Sequence, residues 1–146
     1  MLNKYVPAVS RALFDSDLIG SRIIIAMAEF GWFVLLVWPG DTMARPTYKI
    51  MATVMPENAW AVVFLVSCFF QTLIVITETY HTVQARYFSA ANAALWAYVV
   101  ISMLMSVYPP PAAIAGEIAI AIAASWIWFR PYVIIFGMSY ARSQRP

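Results

Sequence analysis

AWAVVFLVSCFFQTLIVITET, residues Ala59 to Thr79, decides the fold class. Gln71 is its one strongly polar side chain before Glu78. A helix rises about 1.5 Å per residue, so ~20 mostly apolar residues cross the hydrocarbon core of a bilayer. This stretch has that length and that character. The predicted element is a membrane-spanning helix.

Three further stretches read the same way. Residues 18–38 are apolar except for Ser21, Arg22 and Glu29. Residues 89–108 contain Asn92 near their start, and residues 112–129 contain Glu117. The sequence therefore predicts an all-α integral membrane protein with four transmembrane helices at about 18–38, 59–79, 89–108 and 112–129. With 146 residues, the chain makes a single helical domain over 1–146.

Composition agrees. Apolar residues make up 63% of the chain and charged residues 11%, whereas soluble domains carry about 25% charged residues. So much apolar surface on a small chain must face lipid or a partner. A net charge of +2 with no basic run gives no reason to expect nucleic acid. One cysteine, Cys68, precludes an internal disulfide. The first residues, MLNKYVPAVSRALFDSD, lack the apolar core of a cleavable signal, so the first span is expected to direct insertion.

Local chemistry marks the boundaries. Asp15, Ser16 and Asp17 place capping groups and negative charge before the first span. Pro39, Gly40 and Asp41 end it. Pro56 opens the second span, and Pro109, Pro110 and Pro111 make the connection between the third and fourth short enough to force a hairpin. Seven of the nine basic residues (Lys4, Arg11, Arg22, Arg86, Arg130, Arg142 and Arg145) fall on the side of the N-terminus. Arg45 and Lys49 fall on the other. Basic residues collect in the cytoplasm, so both termini are expected there. Segments 5–14 and 46–55 are too short and too polar to span and are predicted to be interfacial helices. The apolar run Tyr132 to Met138 either continues the fourth helix past Pro131 or lies on the cytoplasmic surface.

In lipid, close approach of small residues drives helix association more than apolar burial does. The fourth span repeats small residues at four-residue spacing: Ala112 and Gly116, Ala115 and Ala119, Ala119 and Ala123. Two readings stay open. The stripe packs the hairpin, or one small-residue face serves the hairpin while another meets a second subunit in a homo-oligomer.

Intramembrane acids are costly and mark either function or internal pinning. Helical rise puts Glu29 roughly 16 Å, Glu117 roughly 18 Å and Gln71 roughly 12 Å from the cytoplasmic ends of their spans. These three residues form a candidate polar belt or pore lining. The alternative is that each acid is hydrogen-bonded to Gln71, a serine or a backbone carbonyl and pins the bundle. Asn92 and Gln84 are expected to cap or bridge the second and third helices. His81 lies near Glu78, but two residues do not make a metal site, and no metal is expected. No HExxH, CxxC, phosphate-cradling glycine loop or serine elbow occurs, so neither an enzyme nor a cofactor is expected. The loop from Pro39 to Asn58 offers Arg45 and Tyr48 as contacts for another membrane protein.

The segment Trp38 to Tyr48 (WPGDTMARPTY), followed by Met51, Ala52, Val54, Met55, Pro56, Glu57 and Trp60, resembles a pattern in small four-span membrane proteins encoded by tailed bacteriophages and prophages. The resemblance covers about residues 1–80 and carries over no catalytic site. It implies the inner membrane of a bacterial host and three roles: a holin-like lysis pore, a superinfection-exclusion protein, or a virion-carried channel for genome entry. Taken with the residues, the leading expectation is a self-associating inner-membrane bundle or pore. The alternatives are an exclusion or structural protein acting through a partner, and an oligomeric proton- or cation-coupled transporter.

Overall fold

The structure is a computed structural model. It describes the backbone of residues 6–79 and 82–143 and the side chains of residues 18–79, 82–130, 132 and 133. The described chain is helical: α1 (Val6–Val37), a 3-10 turn (Pro46–Tyr48), α2 (Lys49–Val54), α3 (Glu57–Ile76), α4 (Val83–Ser106) and α5 (Ile114–Ser143).

Part of the predicted punctuation operates; Asp15, Ser16 and Asp17 do not cap a helix start, because α1 already runs through them from Val6. After α1 the chain turns at Gly40, whose φ of 153° suits a residue without a Cβ. The Asp41 carboxylate accepts from the Ala44 amide at 3.0 Å, and Glu57 Oε1 accepts from the Thr42 amide at 3.1 Å, tying this turn to the start of α3. Pro56 holds the extended conformation that precedes α3. Thr82 caps α4, its side chain accepting from the Ala85 amide.

Among the described residues three helices are long and apolar enough to cross a membrane: Leu18–Val37, Glu57–Ile76 and Val83–Ser106. The first three predicted spans are thus present, with the third starting at Val83 rather than residue 89 because Thr82 sets the cap. The expectation of four is corrected on this measure. The continuous run of described α5 side chains goes from Ile114 to Arg130 and includes Glu117 and Arg130. The helix also runs on through Pro131 to Ser143, which settles the tail as a continuation of α5.

Segment 5–14 is a second correction. From Val6 it is the first part of α1 and not a separate interfacial helix. Pro7 falls in the first turn of α1, where proline is tolerated, and no breaker stands between it and the span, so the helical hydrogen bonds continue (Tyr5 lies outside the described residues). Segment 46–55 does form the 3-10 turn and α2, with Met51 turned into the protein and Val54 exposed. Met51 is fully buried, and the Ile50 amide donates to Ser106 Oγ at 3.4 Å, so α2 caps one end of α4.

In the bundle α1 packs along α3, α5 packs along α4, and α1 also meets α5. Large rings bridge the distance from α3 to α4: Phe64 to Trp96 at 5.8 Å, Trp60 stacked on Tyr98 at 5.6 Å and Phe70 to Phe88 at 5.5 Å. The polarity of inside and outside is reversed relative to a water-soluble bundle. Met27 is 70%, Ile76 73% and Met105 73% exposed, while Arg22 is 2% and Glu29 0% exposed. Such an exterior suits lipid, and such an interior needs internal partners.

Candidate functional site: a polar core on three levels

Each helix turns a 3/4-spaced face inward, and the polar residues of the spans lie on those faces. Buried positions in α1 include Arg22, Ile25, Glu29, Trp32 and Leu36. In α3 they include Phe64, Ser67, Gln71 and Ile74, and in α4 Ser89, Asn92, Trp96 and Val99. This spacing is that of one helical stripe.

The first level is built around Arg22. Its Nη1 donates to Gln71 Oε1 at 2.8 Å and its Nη2 to Ser89 Oγ at 2.9 Å. Ser89 in turn donates to the Ala85 carbonyl at 2.7 Å. One cation thereby joins α1, α3 and α4 through neutral acceptors.

The second level lies two turns along α1, about 10 Å away. Glu29 Oε1 accepts from Ser67 Oγ at 2.7 Å and from Asn92 Nδ2 at 2.6 Å. Asn92 Nδ2 also donates to Ser67 Oγ at 3.0 Å. Again the same three helices meet, now through a carboxyl, a hydroxyl and an amide. Glu29 Oε2, Asn92 Oδ1 and the Trp96 indole N–H are buried without a protein partner.

One further turn on, Trp32 Nε1 donates to Glu117 Oε1 at 3.1 Å, joining α1 to α5. The Trp32 ring stacks on Phe64 at 5.1 Å and takes Tyr48 edge-on at 5.5 Å. Burial, first, and the neighbouring Glu117 push the Tyr48 phenol above its ordinary value, with Arg45 acting the other way.

The three residues proposed as a belt are therefore not brought together. Glu29 pairs with Ser67 and Asn92, Gln71 serves Arg22, and Glu117 serves Trp32. Asn92 does bridge to α3, as expected, whereas Gln84 is exposed. Of the small-residue stripe, Ala112, Gly116 and Ala119 are exposed and Ala123 is half-buried. The inward face of α5 is instead Ile114, Ala124 and Ile127. Arg45 is exposed, and Tyr48 is half-buried against Trp32. His81 lies outside the described residues. Ser67, Ser89 and Trp96 escaped the sequence reading. Their signal is a spacing of three, four or seven from Gln71, Asn92 and one another.

Two features decide what this interior can do. The ring stack of Trp32, Phe64 and Trp96 lies beside and beyond Glu29, and the Arg22 guanidinium fills the level before it. The polar core acts as an internal clamp, three helices held by directed bonds where apolar burial cannot discriminate among packings.

Fold and site together define a helical protein with three membrane-capable helices clamped by an internal polar core. No known protein family, no curated protein and no solved structure matches the chain.

Proposed function

We propose that this protein works by self-association, as an inner-membrane bundle of several copies that opens a holin-like or channel-like path between protomers. The observation that carries this reading is the outer face of α5. It presents Ala112, Gly116 and Ala119 outward, while Ile114, Ala124 and Ile127 pack inward. A Cβ added at Gly116 meets nothing within 4 Å, so the protomer makes no use of that glycine. Small residues on a lipid-facing surface let a second helix approach closely.

On this reading α5 is a fourth span. Its flank along α4 and α1, and its exposed Ile122, Trp126 and Phe129, support a position at the depth of the other three. The excess of basic residues near the termini supports both termini in the cytoplasm. The resemblance in residues 1–80 supports a bacterial inner membrane and a phage setting. The clamped interior makes a carrier within one protomer the weakest reading.

Membrane potential in bacteria after induced expression tests the proposal, with wild type beside Gly116→Leu. Collapse with wild type that the variant relieves, at equal protein in the membrane, supports an inter-protomer path. An intact potential with wild-type protein in the membrane would overturn it. It would favour action through a partner, for which the exposed Arg45 and Lys49 beside the packed α2 cap are the polar contacts on that end.

A further inference from the structure

A cavity of about 340 Å³ opens between α1 and α3 on the outside of the bundle. Its walls are apolar: Ile23, Ala26, Met27 and Phe30 from α1 and Val75 from α3. Met27 and Phe30 are 70% and 52% exposed, so the mouth faces sideways, where lipid would stand. At one end is Arg22, which is 2% exposed.

The charge of Arg22 is the unusual element. Its two side-chain hydrogen bonds go to neutral groups, Gln71 and Ser89, and its Nε–H has no partner. No carboxylate lines the cavity. A buried guanidinium carries an uncompensated desolvation cost unless an anion stands beside it. Nothing among the described residues of this chain supplies that anion at contact distance.

The cavity is also polarised along its length. From Arg22 to Phe30 is eight residues of α1, about 12 Å. On α3 the order is reversed: Gln71, Thr72 and Val75 lie toward Arg22, and Cys68 lies toward Phe30. One end is cationic and hydrogen-bonding, and the rest is apolar. That is the shape of an amphiphile with an anionic head. Arg22 is four residues inside its span, about 6 Å, within reach of a headgroup at the interface.

We propose that this cavity binds an anionic phospholipid of the adjoining leaflet, with its phosphate drawn to Arg22 and one acyl chain lying along Met27, Phe30 and Cys68. A volume of about 340 Å³ suits one chain segment rather than a whole lipid, which leaves the second chain in the bilayer. Apolar walls give inorganic phosphate nothing to gain, and a sideways mouth admits lipid directly. Basic pockets between spanning helices are known acceptors of anionic headgroups. The site is independent of the α5 face and of any path between protomers.

The test uses purified full-length protein offered equal phosphatidylglycerol and phosphatidylcholine, with retained lipid counted by native mass spectrometry. Wild type is expected to retain phosphatidylglycerol with about tenfold preference. Arg22→Gln is expected to lose the preference. Cys68→Trp fills the chain end without touching the cation and is expected to lose the retained lipid while circular dichroism stays unchanged. Alkylation of Cys68, the only thiol in the chain, is expected to slow in phosphatidylglycerol vesicles relative to phosphatidylcholine vesicles. Equal retention of the two lipids by wild type would overturn the proposal. So would undiminished phosphatidylglycerol retention in Cys68→Trp, a result that stands even if Arg22→Gln fails to fold.

Discussion

Glu29 joins three helices through one oxygen, accepting from Ser67 on α3 and Asn92 on α4. Replacing it tests the clamp directly. Glu29→Leu leaves Ser67 without its acceptor, and Asn92 with Ser67 Oγ alone, in a medium that offers no water. The expected loss is about 1–3 kcal/mol, read by reversible unfolding in mixed micelles. Glu29→Gln keeps an acceptor and should lose less than half of that. Equal losses would mean that side-chain volume, and not hydrogen bonding, holds this level. Trp32→Phe retains the ring over Phe64 but removes the donor to Glu117. A cost of about 0.5–1.5 kcal/mol in the same assay is expected. At this scale the sequence singled out the right acids, because a carboxyl inside an apolar run is conspicuous. It did not pair them. Partners come from other helices, and rotation about each helix axis decides which side chains meet.

Among elements, the aromatic bridge and the small-residue face behave in opposite ways. Phe64 is fully buried and touches the rings of Trp32, Trp60 and Trp96. Phe64→Ala opens a cavity among Trp32, Trp60 and Trp96 in the ring bridge between α3 and α4, and should cost about 3–5 kcal/mol by thermal or denaturant unfolding. Gly116→Leu points into open space and should leave protomer stability unchanged within about 0.5 kcal/mol. Its expected effect is loss of cross-linked oligomers in membranes. A wild-type protein that yields no oligomers would remove the basis of the proposed function. Element boundaries were legible where proline or glycine stood, as at Pro56 and Gly40, whereas the Thr82 cap that starts α4 at Val83 rather than residue 89 went unread. The start of α1 was not legible, because the polar residues before Leu18 resemble an interfacial segment yet hold no breaker after the first-turn Pro7.

For the whole molecule, the open matter is how many times the chain crosses. In a Cys68→Ser background, a cysteine at Asp41 should react with an impermeant maleimide from outside the cell, and one at Glu78 should not. Both positions are exposed. A tag after Pro146 should be accessible only from inside. Its accessibility from outside would mean that α5 does not cross and that the bundle has three spans. The interior bears on the same scale. A chain with Arg22, Glu29, Gln71 and Asn92 inside and Met27, Ile76 and Met105 outside is folded for a solvent that cannot hydrogen-bond.

The sequence by itself determined that this is a helical protein with membrane-capable helices, where several of them end, and that Glu29, Gln71 and Glu117 are unusual. Those properties follow from local composition and length, which a linear reading contains. Only the tertiary structure decided that the supposed belt is three separate levels, that Arg22 is a buried hub, and that Ala112, Gly116 and Ala119 face outward from the protomer. Those depend on the rotation and depth of each helix against its neighbours. Such quantities are set jointly by side chains far apart in the chain, by directed hydrogen bonds as short as 2.6 Å between Asn92 and Glu29, and by ring packing across the bundle.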